Sequence, residues 1–336
     1  MKVSASIYSD KVNQLETTIE LLNANNIDLI HVDCKDNLAV FDDIVVMKAK
    51  SAIPLDLHII TDQADRYYKP MIEHQVDFVT FQYEDLIDKT LDVPNEFTGK
   101  LGLSITSNTP IDVFEPYANR FDFILFMATI PGESGGVFDR KNFRRIRDFK
   151  KRFPGKRIHV DGGVNGEVSF ILRNMGVFAS VSGSYLFNAS TIGSALLNLK
   201  LNEVESHFLV KDFMLDLDES PYIYEADLTL KNTIEAMNIG KLGFTAVINK
   251  SNLLKGIIGN ADLRQGLLNN IDSLNDLNTA DMINAKPLTI NESATVVEMI
   301  RFVKNESKTI LYLPVVNNNN ELVGTLNFMN LIKGEI

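Results

Sequence analysis

Residues 1 to about 200 alternate eight times between short runs rich in β-branched and aromatic residues and stretches whose apolar residues recur every three or four positions. This alternation predicts strands that are each followed by a helix, and eight such pairs predict a parallel sheet closed into a (β/α)₈ TIM barrel. The predicted strands are Val3–Ile7, Leu29–Asp33, Leu55–Ile59, Phe78–Gln82, Leu101–Ile105, Phe123–Met127, Arg157–Asp161 and Ala179–Ser182.

The rest of the chain carries an internal repeat. Val247 and Val315 are 68 residues apart, as are Gly256 and Gly324, and each copy reads helix, strand, turn, strand, helix. One such unit cannot bury its apolar face alone, so the two copies are expected to pack together as one module. The predicted organisation is a barrel at 1–203, a linker at 204–215 and a tandem module at 216–336, with repeats at about 216–272 and 279–336.

Polar side chains collect at the carboxyl ends of the predicted strands, where a parallel barrel carries its chemistry. The tetrapeptide Ile-His-Val-Asp occurs there twice, at 30–33 and 158–161, and Asp56 and His58 end a third strand. Alternate residues of a strand face the same side, so each pair can point into the barrel and together suit zinc, iron or manganese. The alternative is that these polar residues only bond to one another inside the barrel. Burying several titratable groups without a metal would cost considerable free energy. We expect His159 to support its neighbour Asp161 rather than to bind the metal directly.

Glycines follow the last three strands of the predicted barrel. They occur in Pro131–Gly136, in the pair Gly162 and Gly163, and in the segment Ser182–Ser184. Glycine lets backbone amides approach an anion closely, and the loops after strands seven and eight are the usual phosphate site of such barrels. A single motif of this kind is most often a tight turn, but three in consecutive loops predict phosphate binding.

These pieces, taken together, resemble the ribulose-phosphate 3-epimerase family over nearly all of residues 1–200. The matching segments, in the family's order, are Ser4–Ile7, Ile30–Asp33, Leu55–His58, Phe126–Gly132, Val160–Val164 and Val181–Ser184. The resemblance implies inversion of C3 of a ketose phosphate by two aspartates, Asp33 and Asp161, beside one divalent metal (Zn, Fe(II) or Mn). It implies the metal ligands His31, Asp33, His58 and Asp161. It also implies substrate or phosphate contacts at Ser6, Met127, Gly132, Ser134, Gly135, Gly162, Gly163, Gly183 and Ser184.

Departures from the family pattern cluster on the substrate side. Lys35 and Ile60 replace pocket methionines, and Gln82 stands where a histidine is common, so these three are candidates for a changed ketose specificity. Lys35 also suggests a rival, because phosphosugar decarboxylases on related barrels use an Asp-x-Lys-x-x-Asp motif. The third member of that motif would fall at Leu38, so the match fails. Lys35 can equally be a solvated loop residue.

The C-terminal repeats resemble tandem CBS domains, which are known for adenine-nucleotide binding and for dimerisation. Gly256–Arg264 is similar to the Gly-Ile-x-Thr-x-x-Asp-Leu segment of that family, in which the aspartate meets a ribose. Asp262 keeps the aspartate, Gly259 replaces the threonine, and Asn330 stands at the equivalent aspartate position of the second repeat. Nucleotide sensing and assembly into a dimer or larger homo-oligomer therefore both stay open.

Charge and composition exclude several classes of partner. The net charge of −11 argues against a nucleic acid, and no run approaches the roughly 18 apolar residues of a membrane span. The single cysteine excludes an internal disulfide framework, and the N-terminus lacks the pattern of a signal peptide, so a cytoplasmic location is expected. Two function classes remain: a working epimerase that the module regulates or assembles, and a catalytically silent phosphosugar sensor.

Overall fold

The chain forms two compact units, Met1–Val204 and Glu205–Ile336. The computed structural model describes residues 1–129, 135–200, 208–273, 277–306 and 310–328. Within those ranges no helix combines the length and the apolar character needed to span a bilayer.

The first unit is a closed barrel of eight strands in chain order, so the predicted TIM-barrel fold is confirmed. Every neighbouring pair of strands is parallel, including β1 with β8, which closes the barrel. The strands are β1 Lys2–Ser6, β2 Leu29–Lys35, β3 Leu55–Ile60, β4 Phe78–Gln82, β5 Lys100–Thr106, β6 Phe123–Met127, β7 Arg157–Asp161 and β8 Ala179–Ser182.

The connections between the strands depart from the prediction of eight helical stretches. The α-helices are α1 Leu15–Ala24, α2 Val40–Lys50, α3 Asp65–Glu73, α4 Lys141–Arg152, α5 Gly166–Asn174, α6 Ser184–Phe187 and α7 Ile192–Lys200. After β4 and β5 the chain forms only the 3₁₀ helices Tyr83–Asp85 and Ile111–Tyr117. The second of these begins after Pro110 and contains Pro116, and proline in a helix interior removes a hydrogen bond and clashes with the preceding turn.

The bottom of the barrel interior is an apolar layer. Leu29, Phe78, Phe123 and Ala179 pack there as one cluster, one from each even-numbered strand. This is the layering expected of a tilted eight-stranded barrel, in which alternate strands contribute to one level. Since inward positions recur every second residue, Ser4, His31 and Asp56 fall above this layer on their strands. His31 and Asp56 therefore lie in the upper part of the interior, toward the carboxyl ends of the strands.

The second unit contains the two predicted copies. The elements are α8 Val210–Phe213, β9 Leu215–Asp216, β10 Tyr222–Tyr224, α9 Leu230–Gly240, β11 Phe244–Ile248, β12 Leu254–Gly259, α10 Asn260–Asn269, β13 Ile290–Asn291, α11 Val296–Asn305, β14 Tyr312–Val316 and β15 Leu322–Asn327. The hairpin β11–β12 pairs Val247 with Gly256, and β14–β15 pairs Val315 with Gly324. Both hairpins have a register shift after these valines, so the copies match residue for residue at the offset of 68 seen in the sequence.

The two copies share one core, as their repeated pattern predicts. Phe244, Ala246 and Ile257 of the first copy pack in the same buried cluster as Val316 and Leu322 of the second. Part of the segment assigned to a linker also belongs to this unit. Residues 210–213 form α8, and β9 pairs with β15 at the edge of the second sheet. The order in that sheet is β13-β14-β15-β9, and the first copy's sheet has the order β10-β11-β12.

Candidate active site

Four buried or half-buried side chains converge at the top of the barrel: His31, Asp33, His58 and Asp161. Each offers a ligand atom, and these four atoms all lie within 4.8 Å of one another. Oδ1 of Asp33 is 3.4 Å from Nε2 of His31 and 3.4 Å from Nδ1 of His58. Oδ2 of Asp161 lies 3.7 Å from Nε2 of His31. The four residues that the resemblance implied as metal ligands are thus together in space.

Strand register explains this convergence. Asp33 on β2 is level with His58 on β3, and His31 is level with Asp56, so neighbouring strands alternate a histidine with a carboxylate at each level. Asp161 is the last residue of β7, and its side chain reaches the cluster across the barrel interior. All of these side chains occupy inward positions because each strand alternates with a period of two.

Each histidine is also held by a partner on the side facing away from the cluster. Nδ1 of His31 lies 3.0 Å from Oδ2 of Asp56, and the same oxygen accepts a hydrogen bond of 2.9 Å from Oγ of Ser4. Nε2 of His58 lies 2.9 Å from Oε1 of Gln82. Such partners orient an imidazole and choose which nitrogen faces a metal. The strand pattern groups Asp56 with the metal-facing residues, but the structure places it behind His31.

Three ligand atoms are left without hydrogen-bond partners in the described part of the chain: His31 Nε2, Asp33 Oδ1 and His58 Nδ1. These atoms are the ones that face one another in the cluster. Buried polar atoms are rarely unpaired, and each one left so costs free energy. Two imidazole nitrogens and carboxylate oxygens are a donor set that suits a divalent transition metal. The residues present therefore fit such an ion.

The environments of the two cluster carboxylates differ. Burial alone would raise the pKa of Asp33, but the imidazoles of His31 and His58 outweigh it and hold this pKa well below its usual range. Burial raises the pKa of Asp161 to about 6, with the charge of Asp33 adding to the rise and His31 opposing it. His31 in turn has a raised pKa, because Asp33 and Asp56 outweigh the effect of its burial. One carboxylate is thus held ionised and the other takes up a proton readily.

A cavity of about 1360 Å³ opens above the cluster. Its lining includes these residues from the sequence analysis: Ser6, Asp33, Lys35, Gly135, Asp161, Gly162, Gly163, Gly183 and Ser184. Gly162 and Gly163 have φ of +105° and +65°, a backbone region that side chains disfavour. A Cβ on Gly163 would also lie 2.3 Å from the backbone nitrogen of Phe138. Glycine is therefore required at this turn, which borders both the cavity and Asp161.

The remaining predicted site residues are not among the described residues that line this cavity. Gly132 and Ser134 fall outside the described residues. Met127, Ile60 and Gln82 do not belong to the cavity lining, and Met127 is only 1 % exposed. Gln82 uses its side chain on His58 and on Glu84, to which its Nε2 donates a hydrogen bond of 2.5 Å. Sequence reasoning missed Ser4 and Glu84; the signal for Ser4 was its inward parity with Ser6 on the first strand.

His159 forms no side-chain hydrogen bond to the cluster within the described residues, although a supporting role was expected for it. Its ring stacks on Phe123 at 4.1 Å between centroids and on Phe178 at 5.4 Å. Neither ring nitrogen has a hydrogen-bond partner among the described residues. Burial lowers the pKa of His159 to about 4, so this imidazole is a neutral part of the aromatic lower barrel.

In the second unit, Asp262 lies in the first turn of α10. Its Oδ2 accepts a hydrogen bond of 2.8 Å from the backbone nitrogen of Gly259, which closes the start of the helix. Asp262 also borders a cavity of about 240 Å³ together with Gln265, Asn278 and Asp281. The position equivalent to Asp262 in the second copy, Asn330, is outside the described residues.

The family match and the curated relatives identify the first unit as an isomerase acting on carbohydrates. The model of the ribulose-phosphate 3 epimerase family matches residues 2–187, and the chain therefore belongs to that family. Ribulose-phosphate 3-epimerase of Bacillus subtilis (strain 168) is 27 % identical over 213 residues, which cover 60 % of this chain and 98 % of the relative. The chloroplastic ribulose-5-phosphate-3-epimerase of Arabidopsis thaliana is 25 % identical over 215 residues, or 60 % of this chain and 76 % of the relative.

The second unit is a CBS-type module. The CBS domain model matches residues 280–334, which include the second copy. Among solved structures, the CBS-pair protein CBSX2 from Arabidopsis thaliana is 20 % identical, covering 38 % of this chain and 94 % of that chain, with a TM-score of 0.32.

Proposed function

We propose that this protein is a metal-dependent epimerase that inverts C3 of a ketose phosphate. A pentulose 5-phosphate such as ribulose 5-phosphate is the substrate class that the family membership and the curated relatives' names favour. The metal site consists of His31, Asp33, His58 and Asp161. The observation that carries the proposal is the set of three unpaired, buried ligand atoms that face one another within this cluster.

Asp33 and Asp161 are the proton carriers in this proposal. They come from β2 and β7 and both border the cavity, so each can reach C3 of a bound sugar from its own side of the barrel interior. The ionised Asp33 takes the proton from C3 on one face of the sugar, and Asp161 returns a proton to C3 on the opposite face. The reverse reaction exchanges these roles. A divalent ion in the cluster would supply positive charge against the charge that develops on the sugar oxygens when C3 loses its proton.

Ser6 and the glycine loops are the substrate-binding part of the proposal. Ser6 Oγ lies 3.5 Å from Oδ2 of Asp33, so it can both position that carboxylate and reach a sugar hydroxyl. Gly162, Gly163, Gly183 and Ser184 border the same cavity and would hold the phosphate through backbone amides. Lys35 lines this cavity as well, and we propose that its charge adjusts which ketose phosphate is accepted.

The direct test is exchange at C3 in deuterated water. Protein loaded with zinc, manganese or iron(II) is incubated with a series of ketose phosphates, and entry of deuterium is followed by NMR. We expect exchange and epimer formation with at least one pentulose 5-phosphate, and loss of exchange by at least a hundredfold in Asp33→Asn and Asp161→Asn. Asp62→Asn, which changes an exposed carboxylate just after β3, is the matched control and should retain full exchange.

A metal-loaded protein that binds ketose phosphates without any exchange would contradict the epimerase and favour the silent sensor. Decarboxylation of a phosphosugar acid without epimerisation would favour the lyase alternative instead. Both outcomes are read from the same NMR samples, since each leaves a different product.

For the second unit we propose adenine-nucleotide binding at Asp262, with dimerisation as the competing role. The support is the position of Asp262 at the start of α10, at the edge of a cavity rich in amide and carboxylate side chains. Adenine nucleotides should raise the melting temperature of the full chain, and Asp262→Ala should reduce the rise. No shift with any nucleotide, together with a dimer in sedimentation, would leave assembly as the role of the module.

A further inference from the structure

A chain of hydrogen bonds leads from His58 away from the metal cluster toward the rim of the barrel. His58 Nε2 contacts Gln82 Oε1 at 2.9 Å, and Gln82 Nε2 donates to Glu84 Oε2 at 2.5 Å. His58 and Gln82 are 0 % and 1 % exposed, so water cannot readily replace these contacts, whereas Glu84 is exposed at the far end. The contacts join β3 to the end of β4 and the turn that follows it.

At the Glu84 end of this series of hydrogen bonds, the donor and the acceptor of each bond are fixed. Oε1 of Glu84 accepts hydrogen bonds from the backbone nitrogen of Thr106 at 2.9 Å and from its hydroxyl at 3.0 Å, and the Thr109 hydroxyl donates to it as well. An ionised carboxylate can only accept hydrogen bonds. The group of Gln82 that faces Glu84 must therefore be its NH₂, and the group that faces His58 must be its oxygen.

The direction of these hydrogen bonds also determines which nitrogen of His58 carries the hydrogen. An amide oxygen accepts and cannot donate, so Nε2 of His58 carries the hydrogen. In a neutral imidazole the other nitrogen, Nδ1, then has a free lone pair. Nδ1 is the atom that lies 3.4 Å from Asp33 Oδ1 inside the cluster.

We propose that Gln82 and Glu84 are positioning residues that hold His58 in the Nε2–H tautomer and so make Nδ1 the metal-binding atom. This inference rests on the metal site of the proposed function. The two cluster histidines are then held differently: His31 by the carboxylate of Asp56 and His58 by a neutral amide. A neutral partner fixes the tautomer without adding a further negative charge directly behind the ligand, because the charge of Glu84 lies one residue further out.

The variant that tests the polarity is Glu84→Gln, which keeps the size of the side chain but adds a donor. The amide of this variant has a single oxygen, which can face either Gln82 or the backbone nitrogen of Thr106. At the other contact its NH₂ group then faces a second hydrogen-bond donor. Turning the Gln82 amide would relieve one conflict but would aim an NH₂ group at Nε2 of His58. We therefore expect zinc affinity to fall about 10- to 100-fold, the range found when partners of metal ligands are changed.

The matched control is Thr109→Val. It removes one hydrogen bond to Glu84 but leaves an acceptor-only carboxylate facing Gln82, so zinc affinity should stay within about threefold of the wild type. Affinity is measured by competition with a chelator, and circular dichroism verifies that each variant is folded. An unchanged affinity in Glu84→Gln would overturn the proposal. Equal losses in both variants would also overturn it, since they would indicate general support of the loop rather than control of the tautomer.

Long-range ¹H–¹⁵N NMR of the histidine rings gives an independent readout. The chain has five histidines, so the His58 signals can be assigned by comparison with His58→Asn. We expect hydrogen on Nε2 of His58 in metal-free and zinc-loaded protein, and a changed pattern in metal-free Glu84→Gln. Hydrogen on Nδ1 in the metal-free wild type would overturn the positioning role itself. A wild type with the expected tautomer but no zinc binding would instead contradict the metal site of the proposed function.

Discussion

The carboxylate of Asp56 lies 3.0 Å from Nδ1 of His31, on the edge of the imidazole opposite to the nitrogen that faces Asp33 and Asp161. Asp56 is buried, and its pKa is lowered because the charge of His31 outweighs the effect of burial. Ser4 donates a hydrogen bond to the same carboxylate oxygen. His31 is therefore anchored from below with Nε2 directed into the cluster.

Asp56→Asn should weaken zinc binding about tenfold while the barrel stays folded. The amide can still accept a hydrogen bond from His31, but it removes the negative charge that makes this imidazole a stronger ligand. Competition with a chelator measures the change. Ser4→Ala is the comparison, because it removes a donor to Asp56 without removing the charge, and its effect should be smaller. An Asp56→Asn protein with wild-type affinity would show that the charge does not matter.

Zinc binding should release more protons as the pH falls. In the metal-free protein the pKa of His31 is raised above its usual value and that of Asp161 is about 6. A metal must displace these protons, so His31 contributes to proton release near pH 7 and Asp161 adds to it below about pH 6. Calorimetry in buffers of different ionisation enthalpy counts the protons. The added release below pH 6 should be absent from Asp161→Asn, and its persistence there would assign it to another group.

His159 should make the barrel less stable in acid. Its pKa is about 4 in the folded state against an ordinary value of 6.5, so the unfolded chain takes up a proton more readily. The stabilisation is fully present above pH 6.5 and is lost as the pH falls toward 4. The difference corresponds to about 3 kcal/mol. Urea unfolding of metal-free protein from pH 7 to 4.5 should show a shallower loss in His159→Leu than in the wild type; parallel curves would contradict this account.

Gly259→Ala should destabilise the second unit by about 1–2 kcal/mol through crowding. An added Cβ would lie 3.1 Å from the Tyr312 hydroxyl and 3.3 Å from Oδ2 of Asp262. Tyr312 cannot easily withdraw, because its ring stacks on Phe244 with centroids 4.0 Å apart. Thermal unfolding of single and double variants measures the effect. The cost should be smaller in a Tyr312→Phe background, and an equal cost there would place the crowding elsewhere.

Hydrophobic patterning carried most of the information about the fold. The eight strands follow from local runs of apolar residues, and the inward parity of His31 with Asp33 follows from the period of two along a strand. The repeat in the second unit was equally visible, because both copies must present the same apolar positions to one shared core. Local patterning did not reveal that β4 and β5 are followed by 3₁₀ turns, since this depends on how the chain packs against the barrel.

The tetrapeptide Ile-His-Val-Asp marks the limit of what the sequence determined by itself. It specified a strand with a histidine and an aspartate on one face at both 30–33 and 158–161. Only the closed barrel made His31 part of the cluster and placed His159 against Phe123, and only it put Asp56 and Gln82 behind the two cluster histidines. The physical reason is that strands of a barrel are staggered relative to one another. The level of each side chain therefore depends on the register of all eight strands and not on its own segment.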